Sequence, residues 1–253
     1  MPVLVRTAIL ALLAGCTVGK GTGAVVGSIQ IEGCEKNTDF DEQQFDLDAD
    51  FFVGQPFLDP DADQSMRRDS LWIRIQRGGA YQESADALSI QVVDLANVRE
   101  GEVEDVMADG CQRSSGEDSS GDVSGCVRAE LSLALSCPDA FENLVATADL
   151  DADGAPIPCP TSVADNVFDG DFDDPAAFED PFFAGDASVP GALHPSCIVF
   201  QTLGSDYGDE IAAAFHFGVH DARMLDGPSG AGGYLRGRFR FELQRGAGAQ
   251  AFP

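Results

Sequence analysis

Period-two alternation of apolar and polar side chains is the feature that most restricts what this chain can fold into. A strand turns successive side chains to opposite faces, so such a run buries one face and wets the other. The clearest case is CVRAELSLALSC, where Val127, Ala129, Leu131, Leu133 and Leu135 alternate with Arg128, Glu130 and Ser132. DSLWIRIQRGG sets Leu71, Ile73 and Ile75 against Trp72, Arg74 and Gln76, and DALSIQVVDL puts Leu88, Ile90 and Val92 on one face. AVVGSIQIEG, SCIVFQTLG, EIAAAFHFGVHDARM and GYLRGRFRFELQRG read as further strands, the last two joined by the glycine-rich turn LDGPSGAGG at 225–233. No stretch carries a helical stripe, although 139–147, after Pro138, has room for one short helix. Short alternating strands separated by Gly, Pro and Asp turns predict an all-β chain, an antiparallel sandwich or barrel. The expected form is an antiparallel β-sandwich, jelly-roll-like or similar, with long acidic loops and up to three disulfides.

The chain opens MPVLVRTAILALLAGCTVGKG. Arg6 precedes an apolar run, Ala8 to Leu13, far too short to cross a bilayer as a helix. A charged start, a short apolar segment and small residues make a secretory signal. Leu13-Ala14-Gly15-Cys16 resembles the lipobox of bacterial lipoprotein precursors, over the first 16 residues only. The resemblance implies acylation of Cys16 as the mature N-terminus, and Thr17 resembles the residue that follows the cysteine in lipoproteins sent to the outer membrane. An ordinary cleaved signal that happens to hold a cysteine is the alternative. The expected organisation is a signal peptide over 1–15, lipidated Cys16 with a flexible tether over 16–24, and a single β-rich extracytoplasmic domain over 25–253. The membrane, reached through the lipid, is then one partner, and an envelope protein or glycan another.

Charge narrows the partners further. A formal net charge of −28 repels nucleic acid and anionic headgroups and concentrates cations. Of the seven cysteines, setting Cys16 aside leaves Cys34, Cys111, Cys126, Cys137, Cys159 and Cys197. In an exported chain these read as up to three disulfides, with fifteen pairings open. The polar loop between Cys111 and Cys126 favours that pair, and closing it would contribute about 3 kcal/mol. Cys137–Cys159 and Cys34–Cys197 follow by elimination. No CxxC or CxxH spacing suggests zinc.

DLDAD occurs at 46–50 and again at 149–153. In the second copy Asp149, Asp151 and Asp153 take positions 1, 3 and 5 of an EF-hand-like loop, with Gly154 where the chain must turn. Calcium is therefore the candidate cofactor. Pro160 stands where the bidentate glutamate would be, so the shell would have to be completed from elsewhere. The first copy has no glycine, and Asp46, Asp48 and Asp50 read as a solvated strand face. Further triads, Asp59/Asp61/Asp63 and Asp169/Asp171/Asp173, show how readily so acidic a chain generates this spacing.

His216 and His220 lie in an alternating run, so they belong to a strand and stand roughly 13 Å apart. One metal ion cannot bridge them, and both are expected on the polar face. Arg236, Arg238 and Arg240 share a face opposite Phe239, Phe241 and Leu243. They form a candidate face for an anionic ligand such as a carboxylated sugar, with cross-strand ion pairing as the competing reading. Residues 160–196 break the alternation. Phe168, Phe172, Phe178, Phe182 and Phe183 stand there among aspartates and prolines, too aromatic a mixture for a disordered acidic tail. They either pin the loop over the sheet or act as exposed recognition anchors.

No nucleophile signature is present: there is no GxSxG, and Ser229 sits in a turn. The expected function is non-catalytic, a membrane-anchored binding or envelope-structural module. The alternative is a carbohydrate-active hydrolase using two of the many carboxylates.

Overall fold

A computed structural model describes residues 21–31, 47–48, 51–58, 69–77, 86–107, 112–113, 123–124, 127–134, 143–163, 167–169, 193–221 and 231–243. Among these the strands are β1 (Gly21–Ile31), β2 (Leu47–Asp48), β3 (Phe51–Leu58), β4 (Asp69–Arg77), β5 (Asp86–Val92), β6 (Val103–Asp105) and β7 (Gln112–Arg113). They continue as β8 (Val123–Ser124), β9 (Val127–Leu133), β10 (Asn143–Ala146), β11 (Cys197–Leu203), β12 (Glu210–Asp221) and β13 (Ala231–Glu242). The helical content of the described residues is one 3-10 turn, Leu95–Asn97. The all-β expectation holds.

The signal segment and Cys16 lie outside the described residues. So do Cys34, Cys111, Cys126, Cys137, Phe172, Phe178, Phe182 and Phe183.

Apart from the β7–β8 ribbon, the strands form one 11-stranded sheet in the order β2-β1-β13-β12-β10-β9-β5-β4-β3, with β11 beside β12 and β6 beside β11. Every strand pairing is antiparallel. A jelly-roll-like pair of stacked sheets is not what the hydrogen bonds draw. The sheet curls into a half-barrel instead, and the chain itself shows why. β2 and β3 are the two outermost strands, yet Asp48 and Phe51 are three residues apart, so the opposite ends of the sheet lie within about 11 Å. β2 also touches β4 across that gap. Inward side chains from both ends therefore share one core. Val25 and Ile29 of β1, Leu71 and Ile73 of β4, Leu131 of β9 and Phe239 of β13 belong to the same buried cluster. Phe200, Phe215, Phe217 and Phe239 are fully buried there, each worth about 1.5–3 kcal/mol in area removed from water.

Two local expectations change. Residues 143–146 are strand rather than helix, because β10 bridges β9 and β12 and turns Leu144 and Ala146 into the core. Gly21–Ala24, expected within the tether, are strand and pair with Arg238–Phe241 of β13.

The two halves of the sheet treat their outer faces differently. In β9 exposure alternates as expected, with Arg128 and Glu130 exposed between buried Val127, Ala129 and Leu131. In β12 every residue from Ile211 to Val219 is buried. Its inner row is Ile211, Ala213, Phe215, Phe217 and Val219, and its outer row is Ala212, Ala214, His216, Gly218 and His220. Something covers that outer row.

Candidate functional site

The cover is an excursion of the chain between β10 and β11. These two strands pair with the same edge of β12, β10 at Val219–Asp221 and β11 at Ile211–His216. Gly218 lies at the gap between them. There the chain leaves the sheet at Thr147 and returns at Ser196, and both ends are bonded to Gly218. Thr147 N–H donates to the Gly218 carbonyl at 2.9 Å, and Gly218 N–H donates to Pro195 O at 3.0 Å. Ser196 Oγ also donates to the Gly218 carbonyl, at 3.0 Å. A side chain at 218 would obstruct this neck, since a Cβ there would stand 2.8 Å from Thr147 O and 3.1 Å from His194 O.

Outgoing and returning chains also pair with each other. Asp149 N–H donates to His194 O at 2.8 Å, and His194 N–H donates to Asp149 Oδ2 at 2.6 Å. A disulfide, Cys159–Cys197, with Cα atoms 5.8 Å apart, ties the excursion to the first residue of β11. This corrects the pairs reached by elimination: neither Cys137–Cys159 nor Cys34–Cys197 forms. Cys197 faces His216 on β12, and the excursion brings Cys159 against the neighbouring Ser196 carbonyl. Spacing along the chain carries no trace of that meeting.

The neck gathers all three histidines of the chain. His194 Nδ1 and His216 Nε2 are 3.2 Å apart. Tyr234 of β13 stacks on both rings, its centroid 4.5 Å from that of His194 and 5.7 Å from that of His216. His220 Nε2 lies 2.8 Å from Asp149 Oδ1. The expectation of a polar-face His216 is corrected: it is on the outer face but only 1% exposed, because the return segment lies over it. Its charge state follows from that position. Burial, then His194 and the Arg236 guanidinium opposite it, push the His216 imidazole down to about 3. Burial likewise lowers His194, with Asp149 opposing. For Asp149 burial pushes the carboxyl up, but hydrogen bonds from His220 and the His194 N–H outweigh it and hold it below the usual carboxylate range.

The second DLDAD copy is a tight turn at the foot of this neck. Gly154 adopts φ 79°, the left-handed conformation expected of that position. Asp151 Oδ1 accepts the N–H groups of Asp153 and Ala155, both at 2.9 Å. Asp149 points the other way, to the histidines. Among the described residues no three His, Cys, Asp or Glu side chains are placed to share a metal ion.

The three arginines do share the outer face of β13, and the structure separates their roles. Arg238, 2% exposed, donates to Asp169 O at 2.6 Å and Val167 O at 3.3 Å, which holds the excursion down. Phe168 packs in the same place, with Val163 and Val167, against Val199 and Ala214. It pins the loop. Arg240 meets Gln201 at 3.0 Å and Glu210 at 3.7 Å, the ion pairing that competed with an anion site. Arg236 stands opposite His216.

Comparison with family models, with characterised proteins and with solved structures finds no match to this chain. The residues themselves therefore define the class: a curled antiparallel sheet carrying a long excursion clasped at its neck.

Proposed function

We propose that this is an exported lipoprotein, held to the outer membrane through Cys16, whose sheet is a non-catalytic platform for binding or envelope structure. One observation supports the reading above the rest. The 147–196 excursion is fastened to the sheet at its neck by backbone bonds, a disulfide and Arg238. Loops fixed on a rigid scaffold are where recognition residues concentrate. The sequence carried between the fastenings holds Phe172, Phe178, Phe182 and Phe183 among aspartates and prolines, aromatic anchors suited to an envelope protein or glycan.

The anchoring half of the reading is tested by Cys16→Ala, which should move the protein from the membrane to the soluble fraction. Retention in the membrane refutes it. The binding half is tested by calorimetry of residues 17–253 with isolated envelope glycans and envelope proteins. Saturable binding is expected, weakened at least tenfold by Phe178→Ser/Phe182→Ser, with no reducing ends released. Binding that ignores this pair of changes removes the loop from the reading.

A second reading, hydrolysis by paired carboxylates, draws on Glu104 of β6. Burial raises its carboxyl above the usual range, the Arg99 N–H opposes, and Glu102 and Asp105 raise it further. A carboxyl whose proton affinity is raised by burial beside other carboxylates is the general-acid pattern. Release of reducing ends that Glu104→Gln abolishes would establish this reading and overturn the first.

A further inference from the structure

We infer that the neck is an acid-released clasp: neutral His194 and His216 hold the return segment 193–196 against β12, and protonating the pair detaches that segment while the inner core stays folded. The inference does not depend on what the excursion binds.

The contact between the rings is the working part. With Nδ1 of His194 and Nε2 of His216 at 3.2 Å, one nitrogen supplies a proton and the other a lone pair. A proton taken from solvent onto the accepting nitrogen sets two N–H groups face to face, and the bond is lost. Asp149 favours the resulting charge, but burial outweighs it at both rings. Around His216 the described groups are Arg236 and Tyr234 from β13, the Cys197 half of the disulfide from β11, His194 from the return segment, and Asp149 with His220 from the neck. Asp149 is the acid among them, and its oxygens already face the His194 N–H and His220.

Release is confined by where the histidines are. All three belong to the outer face or the segment over it, and the inner cluster contains none. What acid loosens is thus the set of contacts around Gly218. The Cys159–Cys197 bond does not respond to pH in this way, so a detached segment stays tethered and can return.

Hydrogen exchange on the disulfide-intact chain from residue 17, corrected for intrinsic rates, tests this between pH 7 and pH 5. The amides of Thr147, Asp149 and Gly218 are bonded at the neck. Their opening should increase about 20-fold for each imidazole held neutral in the closed form, and should occur at a lower free energy and with a smaller denaturant sensitivity than that of Leu131 and Phe239, whose amides open only with the core. His194→Gln/His216→Gln should make the neck amides indifferent to pH over this range. Neck amides that open only with the core, at the same free energy and denaturant sensitivity, overturn the inference. So does an acid response that survives in the double variant, which would pass it to Asp149 or another carboxylate. If that variant does not fold, imidazole titration of the native chain by NMR decides. A His216 ring still neutral at pH 5 upholds the clasp, and one titrating near 6.5 refutes it.

Discussion

β9 and β12 are next-but-one neighbours in the same sheet, yet they solve burial in different ways. β9 buries Val127, Ala129, Leu131 and Leu133 and leaves Arg128 and Glu130 exposed to water. β12 buries both faces from Ile211 to Val219. The inner rows are alike; the outer rows differ in what lies over them. Ala212, Ala214 and Gly218 are small because a second layer of chain has to approach, and Arg238 reaches past them to the carbonyls at 167 and 169. A strand covered on both sides loses its alternation and reads as a continuous apolar run. The lesson is that AAAFHFG, set beside the alternating run of β9, reports a missing layer.

The largest effects should not distinguish the two halves at all. Phe239→Ala is expected to cost about 3–5 kcal/mol and Leu131→Ala about 2–5 kcal/mol in urea unfolding, since both empty the shared inner core. A loss under about 1 kcal/mol at either position would mean that the sheet does not enclose one core.

The outer rows should then part company. Ala214→Asp places a carboxylate between Val199 and Phe168 and should cost about 2–4 kcal/mol, lowering the melting temperature by several degrees. Arg128→Ala, on the same face of β9, should stay within about 0.5 kcal/mol. Equal losses would show that the excursion does not cover β12 in solution.

Acid sharpens the comparison further. The folded His216 lies below its unfolded value, so in this range the unfolded chain binds more protons than the folded one. The contribution is complete above about pH 6.5 and declines as pH falls toward 3, by up to about 1.4 kcal/mol per unit. Chemical unfolding at pH 6, 5 and 4 should show that slope in the native chain and a shallower one in His216→Asn. Identical slopes would remove His216 from the pH response.

Calcium should produce the smallest change. The two oxygens of Asp149 and one of Asp151 are engaged within the neck and its turn. Millimolar calcium is expected to raise the melting temperature by less than about 1 °C. A rise of several degrees, absent in Asp151→Asn/Asp153→Asn, would instead show an extracellular-type site of millimolar affinity.

Much of this was legible along the chain. The alternation in β4, β5, β9 and β13 is visible residue by residue, Gly154 marks its turn, and Arg236, Arg238 and Arg240 fall on one face by period alone. The neck was not legible in the same way. Asp149 and His194 are 45 positions apart, and they meet because β10 and β11 share one edge of β12 and leave a gap at Gly218. The signals that were available were indirect: three histidines in the whole chain, and an outer row of alanine and glycine on β12. Cysteine spacing pointed to the wrong partners because the disulfide follows the path of the excursion over the sheet, and chain separation does not encode that path.

What the sequence by itself determined is the local state of the backbone, because strand, turn and buried face depend on side-chain period and on glycine conformations that act over a few residues. Only the tertiary structure decided that one curled sheet forms, that Cys159 meets Cys197, and that three histidines, Asp149 and Tyr234 converge. Those outcomes depend on which strands share an edge and on a layer folded back across them, and no short-range preference carries that information.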